Sequence, residues 1–103
     1  MHDVLTVGTA TRDVFLMSPR FKAVRDPHFT AKNGFPRGQA ECFALGEKVK
    51  VDKVILATGG GATNSAVTFA RQGFSTAAVL KVGRDEAGRD IRRELVKERV
   101  KAK

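Results

Sequence analysis

The chain has 103 residues, 42% of them hydrophobic and 29% charged, with 19 Lys plus Arg against 11 Asp plus Glu for a formal charge of +8. That is one domain at most, with ordinary globular usage, which excludes a disordered tail or a low-complexity linker. No apolar run approaches the roughly 18 residues a membrane span needs, and the single Cys42 excludes an internal disulfide, a Cys-rich zinc cluster and a CxxC redox pair.

Along the chain, Val4, Leu5 and Val7, closed by Gly8, read as a buried strand within Asp3 to Thr9. Asp3, Arg12 and Asp13 break the apolar continuity a signal peptide requires, so a cytoplasmic protein is expected. Val14 to Met17 continue in β-favouring residues until Ser18 and Pro19, where the missing proline N–H ends a second strand. Arg20 to Gly38, punctuated by Pro27, Asn33, Gly34 and Pro36, reads as a long exposed connection. Glu47 to Thr58 resumes a strand-like pattern, with Val49 and Val51 alternating against Lys50 and Asp52 before Val54, Ile55 and Leu56.

The character changes at Gly59, Gly60 and Gly61. Thr63 and Asn64 suit a helix start, Ala66, Val67, Phe69 and Ala70 recur at helical spacing, and Gly73 supplies a left-handed stop. Thr76 to Val82 is a third apolar run ended by Gly83, and Asp85 precedes a helix with an inner stripe of Ala87, Ile91 and Leu95. Lys97 to Lys103 reads as that helix continuing without a stop signal. Strand, helix, strand, helix predicts a parallel α/β layer. So few elements leave an apolar sheet edge unpaired, and an incomplete domain is expected.

Three consecutive glycines remove every β-carbon from a strand-to-helix corner, so backbone N–H groups and the positive helix end can approach a polyol or an anion. No Gly-Lys-Ser or Gly-Lys-Thr follows, so a Walker A loop fails. A dinucleotide fingerprint from Gly59 meets Asn64 where a third glycine or alanine belongs, and its ribose acid would be Asp85, which N-capping also explains. The charge is spread, with 6 basic against 3 acidic groups in residues 1–40, 4 against 3 in 41–80 and 9 against 5 in 81–103. All seven aromatics are Phe and none follows Phe74, a poor stacking platform for nucleic acid. A Rossmann-like dinucleotide module and a basic nucleic-acid-binding domain stand as alternatives to a polyol site.

Gly59-Gly60, then Ala62, Asn64 and Ala66, with Gly73 and Gly83 downstream, resembles the N-terminal signature of the PfkB carbohydrate kinase family, the ribokinase-like sugar kinases. Gly83-Arg84-Asp85-Glu86-Ala87-Gly88 resembles the family's strand-end turn, and Val7-Gly8-Thr9 followed by Asp13 its first strand. The resemblance implies the N-terminal part of a three-layer αβα ribokinase-like fold, with residues 14–58 as a small β-sheet lid that could pair two subunits. It implies a substrate site of Thr11, Asp13, Gly59, Gly60 and Asn64, where an aspartate accepts from adjacent sugar hydroxyls. Ribokinases carry asparagine at the place of Thr11 and lysine at the place of Gly61. The implied activity is transfer of the ATP γ-phosphoryl group to a sugar or polyol hydroxyl with Mg²⁺. The family's catalytic base and most of its nucleotide pocket belong to a C-terminal glycine-rich region, so the 103 residues alone are expected to be inactive.

Overall fold

The computed structural model describes residues 1–103. Its strands are β1 (Val4–Gly8), β2 (Thr11–Met17), β3 (Lys22–Arg25), β4 (Gln39–Cys42), β5 (Lys53–Gly59), β6 (Thr76–Leu80) and β7 (Val100–Ala102). Helix α1 spans Gly61–Arg71 and α2 spans Glu86–Lys97. Two compact units emerge: residues 1–14 with 56–103, and residues 15–55.

In the first unit β1, β6 and β7 form a parallel sheet in the order β1-β6-β7, with Val4 beside Thr76 and Thr76 beside Val100. The fold is α/β, as the alternation of elements predicts. Because side chains alternate along a strand, the row through Val4, Thr76 and Val100 and the row through Thr6, Ala78 and Ala102 share one face. Both helices cover that face. Ala66 of α1 and Ile91 and Leu95 of α2 meet Ala78 and Val100 there, all buried. Small residues on α1 and β6 let helix and sheet approach closely, and Leu95 is the largest side chain fully enclosed. The opposite face carries Leu5 and Val7, which remain largely exposed, so these residues build one helix layer of the expected three-layer arrangement.

Several local expectations require correction. The helix does not run from Lys97 to Lys103. It stops at Lys97 with Glu98 as its cap, and Arg99 turns the chain through φ 61 into β7. A non-glycine residue performs the turn that glycine usually signals, so no stop was visible. Within residues 15–55, the segment Arg20 to Gly38 is not a plain connection. β3 pairs antiparallel with β4, Lys22 opposite Cys42 and Arg25 opposite Gln39, and a single 3-10 turn at Ala31–Asn33 is capped by the Thr30 hydroxyl. Residues 47–52 lie outside any strand, since β5 begins only at Lys53. β2 and β5 pair as a two-stranded ribbon.

Candidate functional site

The glycine corner joins β5 to α1, and its geometry explains each glycine separately. Gly60 has φ 100 and ψ 152, and a β-carbon there would stand 2.5 Å from the Thr9 carbonyl oxygen and 2.8 Å from the Ala10 Cα. Both the backbone conformation and the lack of space therefore demand glycine. Gly59 needs only the space. A β-carbon on it would lie 2.8 Å from the Thr11 hydroxyl and would overlap the Asp13 carboxylate.

Thr11 and Asp13 are two apart on β2, so their side chains share a face. The Thr11 hydroxyl donates to Asp13 Oδ1 at 3.0 Å, while Oδ2 is the atom nearest the missing Gly59 β-carbon. Thr11 is exposed and Asp13 half-buried. The structure thus brings together Thr11, Asp13, Gly59 and Gly60: one hydroxyl and one carboxylate against a bare stretch of backbone. A carboxylate with one oxygen engaged keeps lone pairs for further donors.

The start of α1 differs from the sequence expectation. Thr63 and Asn64 are not its cap. Gly60 holds that position without a side-chain bond, and both residues lie inside the first turn. The Thr63 hydroxyl bonds back to the carbonyls of Gly59 and Gly60. The N–H groups expected to face a ligand are used by Thr9, whose hydroxyl accepts from Gly61 at 3.1 Å and whose carbonyl accepts from Ala62 at 3.1 Å. A chain segment 52 residues away in sequence occupies the helix end where an anion would sit. The corner therefore does not fit a phosphate cradle, and no cluster of three or more His, Cys, Asp or Glu side chains that could hold a metal ion stands there. Sequence reasoning missed Thr9, because its role depends on the contact between the β1–β2 turn and the corner.

Asn64 is exposed, and its N–H donates to Gly60 at 2.9 Å. It lines a cleft of about 440 Å³ with Arg12, Thr58, Thr68, Arg71 and Glu98. Arg12, between Thr11 and Asp13, points to the opposite side of β2 from them. The charges around this cleft are paired. Arg12 meets Asp90 at 2.7 Å, Arg93 takes the other oxygen of Asp90 at 2.5 Å, and Arg71 grips Glu98 through two bonds of 2.8 and 2.5 Å. Hydrogen bonding from Arg71 holds the Glu98 carboxyl below its ordinary range. The Thr58 hydroxyl is the one buried side-chain polar atom without a partner.

Two other expectations concern local roles. Asp85 caps α2 by accepting from the Gly88 N–H at 2.9 Å, which employs the acid a dinucleotide reading would need for a ribose. His28 is solvated and contacts Asp26 at 2.8 Å; its backbone N–H, then its ring, lower the Asp26 carboxyl from its usual value. No helix is long and apolar enough to cross a membrane. Among known proteins, the family model described as pfkB family carbohydrate kinase matches residues 1–103. No curated protein and no solved structure matches the chain.

Proposed function

The chain belongs to the pfkB family of carbohydrate kinases, and on that premise we propose that it supplies the sugar-binding side of an ATP-dependent, cytoplasmic sugar or polyol kinase. The observation that carries this reading is the half-buried Asp13 carboxylate, held by Thr11 against the β-carbon-free backbone of Gly59. A carboxylate in that setting accepts from vicinal hydroxyls, and bare backbone lets a flat sugar edge come close. Thr11 contributes a hydroxyl that can turn its lone pairs outward. The resemblance also assigns Asn64, whose amide both donates and accepts, but its place is the cleft on the Arg12 side of β2, so this reading rests on Thr11, Asp13, Gly59 and Gly60. The resemblance assigns residues 14–58 as the family's lid, and their exposed Phe15, Met17 and Phe43 suit a second copy of it.

The reaction requires ATP and Mg²⁺, which supply the transferred phosphoryl group and the charge that screens it. The residues described here bind and orient the acceptor hydroxyl. The 103-residue chain is accordingly expected to bind without phosphorylating.

Titration calorimetry of the chain and of Asp13→Asn against D-ribose, D-fructose and adenosine tests the proposal. Hydrogen bonds to a charged group are worth about 1.5–3 kcal/mol, so the variant should lose roughly ten- to a hundredfold in affinity for whichever compound binds. Binding should change little between low and high salt, unlike phosphate-backbone recognition. Equal affinity in the variant, or ATP-dependent phosphorylation by the chain alone, contradicts the assignment.

A further inference from the structure

We propose that Arg12 is a positioning residue for Asp13, acting through its ion pair with Asp90 to fix the roll of β2 about its own axis. The inference rests on the sugar-site reading above and adds to it a residue that never touches the sugar.

Neighbouring residues of a strand point to opposite faces, so a rotation that moves Arg12 one way carries Thr11 and Asp13 the other. On the Asp13 side there is little tolerance. The carboxylate is so close to Gly59 that not even a β-carbon fits between them, and Thr11 spans the gap to Oδ1. What sets the strand against that contact is on the other face. The Arg12 guanidinium reaches Asp90 Oδ2 at 2.7 Å, with both side chains only 22% exposed, across 78 residues of sequence. Partial burial limits the screening that makes most surface pairs weak.

Asp90 is a fixed post. It lies on α2 beside Ile91, which is buried in the core, and Arg93 holds its second oxygen at 2.5 Å. The consequence for mutation is asymmetric. Loss of the Arg12 charge leaves Asp90 still paired with Arg93, so the fold is spared an isolated carboxylate. Loss of Asp90 would leave two arginines without their partner. Arg12→Met is therefore the cleaner probe, because it keeps the apolar stem and deletes only the charge. Arg12→Lys is its conservative companion, since the pair uses a single guanidinium nitrogen.

Amide hydrogen exchange of the chain without ligand reads the positioning directly. Arg12→Met should speed exchange at Thr11, Arg12 and Asp13 by about tenfold, leave Ala77 and Ala78 of the core sheet unchanged, and be largely reversed in Arg12→Lys. In calorimetry with D-ribose, D-fructose and adenosine, Arg12→Met should weaken the binding compound by about tenfold, within the range a small misplacement costs. Arg12→Lys should stay within about twofold. Unchanged exchange at residues 11–13 overturns the positioning role. So does unchanged affinity in Arg12→Met when Asp13→Ala abolishes binding. If Asp13→Ala itself binds like the parent chain, the sugar reading fails and this role falls with it.

Discussion

Gly60 and Gly73 have almost the same backbone torsion, φ 100 and φ 95, yet they ask different things of their surroundings. Gly73 follows α1 with nothing within 4 Å of where a β-carbon would stand, whereas at Gly60 the backbone of Thr9 and Ala10 fills that place. Alanine at Gly73 meets only the left-handed penalty, about 1–2 kcal/mol. Alanine at Gly60, whose φ 100 and ψ 152 lie in a region essentially reserved for glycine, meets a larger conformational penalty and a collision with main chain that no rotamer can relieve, so Gly60→Ala should cost about 2–4 kcal/mol. Urea denaturation of the two variants measures the difference; equal losses would show that the Thr9 contact is not tight. Asp13 illustrates the same distinction from the polar side. Its chemistry was legible in the sequence as a carboxylate after a first strand. Its confinement by Gly59 was not, because the two are brought together only by the β2–β5 pairing.

Element boundaries were readable where local chemistry makes them. Gly73 ends α1, with its N–H donating to Ala70 at 3.0 Å, and Asp85 begins α2. They were unreadable where an ordinary residue does an uncommon job. Arg99 at φ 61 is the only non-glycine residue with positive φ, and it hides β7 behind what looks like continuous helix. β3 and β4 were missed for another reason: four-residue strands of sequence KAVR and QAEC carry too little alternation to register. Arg99 supplies a prediction at this scale. Relief of about 1–2 kcal/mol of left-handed strain, less about 0.5–1 kcal/mol for glycine's greater freedom when unfolded, should make Arg99→Gly more stable by roughly 0.5–1 kcal/mol. A lower urea midpoint in that variant would mean that the arginine side chain holds the turn by contacts worth more than the strain. Arg71 and Glu98 tie α1 to the residue after α2. Because Glu98 is lowered on folding, that clamp contributes above the ordinary carboxylate range and fades as pH falls through the lowered value.

At the scale of the molecule, the parallel sheet has one apolar face packed under both helices, while the other, though it encloses Ala77, leaves its larger side chains exposed. Both helices lie over Ala78 and Val100, while Leu5 and Val7 on the other side are 57% and 73% exposed. Parallel sheets usually have both faces covered, so this face should bind an apolar dye such as anilinonaphthalene sulfonate in the native state. Val7→Lys should reduce that binding while changing stability by no more than about 0.5 kcal/mol, the usual range for a surface position. A large destabilisation would instead place Val7 in a packed environment. The predicted alternation of strands and helices thus located the layer correctly, and the periodicity of Ile91 and Leu95 located its core.

Thr9 and Gly60 have one more consequence. The contacts that close their joint join residues outside 15–55, so they do not themselves fix the length of the intervening stretch. Doubling such a stretch costs only about 0.6 kcal/mol in closure entropy. Lengthening it should therefore leave the Thr9–Gly60 contact in place at small thermodynamic expense.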